Sequence, residues 1–233
     1  MISGAPQESN FAINKVYKWL FIEQFCQLCS TPNDQAICND CYKGFSYNIF
    51  ACPHCAHPIQ TGDLCKVCVS QAFYFDDAIA PFIYEHDIKP IIKTIKYQAD
   101  FNGVNQILKP LKQRITKKPN AIVYVPSHSS RQHERGYNQA QILAQNLSNH
   151  FDIPILDHCY RVKPTPTLAQ LTKKQRAKLL KGAFMCDQVM PEHVAIVDDI
   201  LTTGATVNEF AKVLRRKGAK RISVWAIARA VRD

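Results

Sequence analysis

Residues 194–206, VAIVDDILTTGAT, constrain this chain more than any other stretch. Val194-Ala195-Ile196-Val197 is a short apolar, β-branched run, which predicts a parallel strand buried on both faces. Asp198 and Asp199 stand at its C-terminal end. Thr202-Thr203-Gly204-Ala205-Thr206 follow, and then apolar residues at helical spacing, Val207, Phe210, Ala211 and Leu214. Strand, acidic pair, hydroxyl-bearing glycine loop and helix start, in that order, make a phosphate cradle. Amides at a helix N-terminus favour an anion. Gly204 lets the backbone come close to it, and Thr202, Thr203 and Thr206 add hydroxyl donors. Carboxylates do not bind phosphate, but they accept hydrogen bonds from a pair of sugar hydroxyls. The combination suits a ribose 5-phosphate. The plainer reading, a buried strand ending in a solvated turn, leaves the order and spacing unexplained.

Eight of the ten cysteines fall in four CxxC pairs: Cys26/Cys29, Cys38/Cys41, Cys52/Cys55 and Cys65/Cys68. Each pair forms a knuckle that presents two thiolates to one metal, and four thiolates in tetrahedral array suit Zn²⁺. Eight ligands imply two sites. The simplest pairing is sequential, 26/29/38/41 and 52/55/65/68, a double zinc ribbon; a crossed pairing of 26/29 with 52/55 is the rival. His54 and His57 read as bystanders. Closed Cys₄ sites have no open position, so both zincs are expected to be structural and to supply folding energy to a segment with little core of its own.

The 233 residues carry a formal net charge of +10. It is unevenly spread: residues 1–70 hold four Lys/Arg against five Asp/Glu, whereas residues 71–233 hold 25 against 14. The larger part therefore suits a polyanionic ligand, nucleic acid, or both. No apolar run reaches the ~18 residues of a membrane span. The N-terminus lacks the basic-then-apolar pattern of a secretion signal. Zinc-type cysteine spacing in such a chain predicts a reducing, cytoplasmic setting.

The expected organisation has three parts. Residues 1–25 are a polar, disordered tail and a short amphipathic helix, which packs on the protein or lies on a membrane surface. Residues 26–70 are the double zinc ribbon, and residues 71–233 the main α/β domain. Within it, Phe73-Tyr74-Phe75 and 78–84 read as two strands of a hairpin joined by an Asp76-Asp77 turn. Residues 88–97 read as an amphipathic helix and 103–115 as another. Residues 121–126 are a second buried strand, followed by a polar, arginine-bearing loop and a helix through Ala140, Leu143, Ala144 and Leu147. A final strand covers 221–228. Cys159 and Cys186, outside the CxxC pairs, read as packed thiols.

VAIVDDILTTGAT resembles the phosphoribosyl-pyrophosphate (PRPP) signature of type I phosphoribosyltransferases. Arg131-x3-Arg135-Gly136-Tyr137-Asn138-Gln139 resembles the R-x3-RG[FY]NQ hallmark of the ComF family of competence-associated proteins. Arg161-x3-Thr165-x4-Gln170-x5-Arg176, with Ala183-Phe184 beyond it, matches another segment of that family, although Leu179 stands where the family usually has Asn. Ile95-Lys96-Tyr97 is similar to a segment of the family's hood over the active site, and Arg229 to the arginine of its terminal LAR.

The resemblance implies an α/β fold, a Rossmann-like parallel sheet of the type I phosphoribosyltransferase kind, with a small N-terminal zinc-ribbon domain. It implies that Asp198 and Asp199 bind the ribose hydroxyls, directly or through Mg²⁺. Thr202, Thr203, Gly204, Ala205 and Thr206 would hold the 5-phosphate. Ser127 would lie in the pyrophosphate loop, with Arg131 and Arg135 facing the pyrophosphate and Asn138 and Lys96 nearby. Arg161, Thr165, Gln170 and Arg176 would sit on a mobile lid. Each has a plainer alternative: a solvated helix face for Lys96, a helix cap for Asn138, a basic solvated helix for the lid. Thr202 occupies the position where purine salvage enzymes carry an Asp suited to act on the base, so a purine acceptor is disfavoured. Two readings follow: a PRPP-dependent transferase acting in DNA uptake, or a PRPP- or single-stranded-DNA-binding protein that transfers nothing. Either implies competence proteins of the uptake machinery as partners, in the cytoplasm or at the inner face of the membrane.

Overall fold

A computed structural model of the chain describes residues 24–61, 63–128, 136–163 and 179–231. In chain order its elements are α1 (Asn39–Lys43), α2 (Lys66–Ser70), β1 (Asp77–Ile79), β2 (Phe82–Ile83), α3 (Ile88–Tyr97), α4 (Val104–Arg114), β3 (Ala121–Tyr124), α5 (Gln139–Phe151), β4 (Cys159–Arg161), β5 (Phe184–Cys186), β6 (His193–Leu201), α6 (Ala205–Arg216) and β7 (Arg221–Arg229). The stretch 1–23, with its expected helix, lies outside the described residues.

The centre is a parallel sheet in the order β1-β7-β6-β3, with β2 continuing β1 along the same edge of β7. β6 and β7 are apolar almost throughout because both faces are covered. On one face Val194, Ile196, Ile222 and Val224 pack on Val207, Phe210, Ala211 and Leu214 of α6. On the other, Ala195, Val197, Trp225 and Ile227 pack on α3, α4 and α5 through residues such as Ile91, Ile95, Leu108 and Leu143. The isoleucines of α3, at 88, 91, 92 and 95, lie on one stripe, and all four are buried.

Two expectations are corrected. The strand carrying the acids runs to Leu201, so Asp198 and Asp199 lie inside β6; β7 extends the ladder beside them, with Asp198 opposite Ala226 and Ile200 opposite Ala228. The 73–84 hairpin does not form. β1 and β2 both run parallel to β7, and the Phe73 and Phe75 rings pack tilted, 5.0 Å apart. Asp76 and Asp77 make no turn because arginines claim them. Arg215 of α6 grips Asp76 at 2.6 and 2.7 Å, and Arg221 reaches Asp77 at 2.8 Å. The Ile222 amide also donates to Asp76 at 2.7 Å.

The cysteine-rich segment is built into this body. Tyr47 bridges antiparallel to Phe82; the Ile83 amide donates to the Ser46 carbonyl and the Asn48 amide to the Pro81 carbonyl, both at 2.8 Å. Asn48 is 1% exposed, and its side-chain amide donates to the carbonyls of Ala56 (2.8 Å) and Ala80 (3.0 Å). Ile37 and Phe45 join the core under α3 and α4, whereas Cys52, Cys55 and Ala56 join the core under α6. Among the described residues no helix is long and apolar enough to cross a membrane.

Replacing Asn48 by Ala leaves two buried carbonyls without their donor. Urea unfolding of Asn48→Ala is expected to show a loss of about 2 kcal/mol. A loss under about 0.5 kcal/mol would mean that Asn48 does not join the ribbon to the sheet.

Candidate functional site

The site lies at the C-terminal ends of β6 and β3. Across the acids the inside-outside alternation of β6 slips: Val194 and Ile196 share a core with Leu201, whereas Ala195 and Val197 share the other with Ile200. Within the slip each carboxylate accepts from the next amide, Asp198 Oδ1 from Asp199 at 2.9 Å and Asp199 Oδ1 from Ile200 at 2.6 Å. These bonds hold both side chains close to the backbone.

Asp199 is 4% exposed. Its Oδ2 meets Lys96 Nζ at 2.8 Å and accepts from Gln139 Nε2 at 3.0 Å. Lys96 comes from the last turn of α3 and Gln139 opens α5, so two of the helices on that face converge on one carboxylate. Burial works against the Lys96 ammonium, but the Asp199 carboxylate outweighs it and holds the pKa above that of an ordinary lysine. Burial, and next the charge of Asp199, push Asp198 up to about 7, against the pull of the Asp199 amide, Lys96 and Arg161. Lys96 therefore lies against the acids rather than on a solvated helix face.

Residues 202–204 turn the chain from β6 into α6, which opens with Ala205 and Thr206. Gly204 has φ +76° at the helix N-cap, a conformation that L side chains rarely adopt. The Thr203 hydroxyl accepts from the Ala205 amide at 3.3 Å, and the first intrahelical bond runs from the Asn208 amide to the Gly204 carbonyl at 2.8 Å. The amides of the first turn have no acceptor within the helix, as an anion cradle requires.

Beyond β3, Tyr124, Pro126, Ser127, Asn138, Asp157 and Arg161 line a cavity of ≈ 280 Å³. The Ser127 hydroxyl is buried, with no hydrogen-bond partner among the described residues. Arg161 lies over the Phe184 ring at 5.4 Å from its centroid. Asn138 caps α5: its carbonyl oxygen accepts from the Ala140 amide at 3.0 Å, and its amide donates to the Val125 carbonyl at 3.1 Å. That ties the strand end to the helix start. Arg131, Arg135, Thr165, Gln170 and Arg176 lie outside the described residues.

Three residues beside the site were not singled out as site residues from the sequence. Gln139 and Tyr137 stand within the arginine-glycine motif that was read. The Tyr137 hydroxyl donates to the Ile95 carbonyl at 2.6 Å and accepts from the Ala99 amide at 3.1 Å, securing the end of α3 that carries Lys96. Arg229 donates from Nη1 to the carbonyls of Leu201 (2.8 Å), Thr202 and Ala230 (2.7 Å).

The cysteines gather as the sequential pairing requires, 26/29/38/41 and 52/55/65/68, with the sulfurs of each set within 4.8 Å of one another. Tetrahedral Zn–S bonds of about 2.3 Å put sulfurs about 3.8 Å apart. Cys29 and Cys38 are at 3.7 Å and Cys55 and Cys65 at 3.5 Å. The amides of Cys38 and Cys65 donate to the sulfurs of Cys26 (3.3 Å) and Cys52 (3.4 Å). Burial opposes both thiolates, but the surrounding amides outweigh it and lower Cys26 to about 6 and Cys52 to about 7. The donor sets fit zinc, and the crossed pairing is excluded.

No family model matches the chain. Competence protein F of Haemophilus influenzae is 35% identical over 212 residues, 83% of this chain and 90% of that protein. The chain belongs to the ComF family. Two further relatives agree. DNA utilization protein YhgH of Escherichia coli K12 is 29% identical over 91% of this chain and all of that one. Competence protein ComFC of Bacillus subtilis is 24% identical over 96% and 99%. A purine phosphoribosyltransferase from Pyrococcus horikoshii Ot3 aligns over 55% of this ComF chain and 82% of its own, with TM-score 0.35 and 19% identity.

Removing Lys96 leaves two adjacent carboxylates, Asp199 buried and Asp198 half-buried, without their cation. Lys96→Met is expected to lower stability to urea by about 3 kcal/mol at pH 8. The deficit shrinks at pH 5.5. Because the folded-state pKa of Asp198 is raised to about 7, that acid is protonated there and the repulsion it shares with Asp199 is gone. An equal deficit at both pH values would show that the pair carries no such strain.

Proposed function

We propose that this chain binds PRPP at the end of β6 and acts as a phosphoribosyltransferase-like protein in natural competence. The observation that carries the reading is the placement of Asp198 and Asp199 just before a glycine-capped turn at the start of α6. Diol acceptors and an anion cradle then stand one loop apart, as a ribose 5-phosphate demands. Thr202, Thr203, Gly204, Ala205 and Thr206 hold the 5-phosphate, and the acids hold the ribose hydroxyls. Lys96 balances the acids before the ligand arrives and lies within reach of its pyrophosphate end. Ser127 and Arg161 stand on the pyrophosphate side; Arg131, Arg135, Thr165, Gln170 and Arg176, outside the described residues, are the further candidates there by family resemblance.

In transfer, an acceptor attacks the anomeric carbon, the bond from that carbon to the pyrophosphate oxygen breaks, and pyrophosphate leaves with the electron pair. The acceptor's proton passes to water. The transition state has oxocarbenium character, so the protein contributes alignment and charge stabilisation. The donors fit Mg²⁺: among the described residues Asp198 Oδ2 is uncommitted, and hard cations favour carboxylate oxygen. When bound, the ion would neutralise charge on the departing oxygens.

The competence role follows the relatives, which carry competence and DNA-utilisation names. The positive excess of residues 71–233 supports single-stranded DNA as a partner. Thr202, where an acid would serve a purine base, argues for a different acceptor.

Calorimetric titration should show PRPP binding to the native chain and at least a hundredfold loss in Asp198→Asn/Asp199→Asn, which keeps the side-chain volumes. Unchanged affinity refutes the ribose assignment. Pyrophosphate release, with and without single-stranded DNA, separates transfer from binding alone: binding without release favours a PRPP-responsive binding protein.

A further inference from the structure

The second cysteine cluster touches the phosphate loop by two separate routes, and the first cluster by neither. Arg229, 8% exposed at the end of β7, donates from Nε to the carbonyl of Cys55 at 3.0 Å. Cys55 is itself a member of the 52/55/65/68 set. The same guanidinium holds the carbonyls of Leu201 and Thr202, where the strand becomes the loop. The second route is aromatic. His54, between the cysteines of the third knuckle, stacks on Phe75 (5.3 Å, 26°) and leans on Phe73 (5.5 Å). Ring atoms of Phe73 and Phe75 lie 3.6 and 3.9 Å from the point where a Cβ on Gly204 would stand. Asn208 in the first turn of α6 accepts from the Tyr74 amide at 2.6 Å, fixing these rings to the helix that opens the cradle.

The first cluster is anchored elsewhere. Gln106 of α4 accepts from the Ile37 amide at 2.9 Å and donates to its carbonyl at 2.8 Å, and the Tyr42 hydroxyl donates to the Gln106 carbonyl at 3.2 Å.

We infer that zinc at the 52/55/65/68 cluster and phosphate at the 202–206 loop are coupled, with Arg229 and His54 as positioning residues, while zinc at 26/29/38/41 is not coupled to the loop. The inference rests on the phosphate-loop reading above. Metal fixes the backbone of the third knuckle, the knuckle fixes one side of Arg229, and Arg229 fixes the strand-to-loop junction. Coupling is reciprocal, so a ligand in the loop slows loss of zinc from the second cluster.

The test uses the zinc-loaded full chain, a chromogenic chelator and ribose 5-phosphate. In the native protein the ligand is expected to slow release of one zinc of the two by about tenfold and to leave the other unchanged. Arg229→Lys keeps the charge but cannot serve four carbonyls at once; it should accelerate that same release about tenfold without ligand and erase the ligand effect. His54→Ala should act in the same direction. Gln106→Ala should accelerate only the other release, which assigns the two phases. Hydrogen exchange in a peptide covering 200–208 should rise with Arg229→Lys and His54→Ala and not with Gln106→Ala. Release and exchange rates within twofold of native in both Arg229→Lys and His54→Ala would overturn the coupling. If calorimetry shows that the native chain binds no ribose 5-phosphate or PRPP, the functional reading falls. The ligand-free release and exchange rates still decide whether the cluster positions the loop.

Discussion

Two adjacent carboxylates sit in the central strand of a buried sheet, and one lysine makes that tolerable. Uncompensated, such a pair would carry a desolvation penalty and a like-charge repulsion. Lys96 and Gln139 both reach Asp199 Oδ2, and the strand's own amides serve Oδ1 of each acid. The rest of the sheet end follows from that arrangement. α3 must end where Lys96 can reach, and Tyr137 secures it there through the Ile95 carbonyl. α5 must begin at Gln139, and Asn138 caps it while holding the end of β3. One carboxylate thus sets the positions of two helices relative to the sheet.

That network also explains why Asp198 and Asp199 are not equivalent. Asp199 has a lysine and an amide for partners. Asp198 has the amide of its neighbour, and burial, and next the charge of Asp199, raise its pKa. On the proposed reading, a ligand carrying hydroxyl donors, or a cation, would meet Asp198 Oδ2, which is uncommitted among the described residues.

Much of this was legible beforehand. The apolar run of β6, the isoleucine stripe of α3 and the Gly204 turn each have a local physical cause visible in the residues. The CxxC spacing led to the sequential clusters because each knuckle is local and the two knuckles of a set are near neighbours in the chain. What escaped depended on partners far away in sequence. Asp76 and Asp77 read as a turn because Arg215 and Arg221, some 140 residues on, could not be known to claim them. Gln139 was not singled out because nothing local says that α5 starts beside Asp199. Arg229 was noted only as a family resemblance, although a buried guanidinium with four carbonyl acceptors is a strong structural constraint.

The edge of the sheet carries a last consequence. Ala80-Pro81 splits the edge strand into β1 and β2, and residues 46–48 of the cysteine-rich segment lie against the second half. Proline and a covering segment are both ways of denying an open strand edge to other molecules. The cysteine-rich segment therefore also covers this strand edge. A ribbon that lost its metal and came away from Phe82 and Ile83 would bare their backbone groups, and strand addition between copies would compete with refolding.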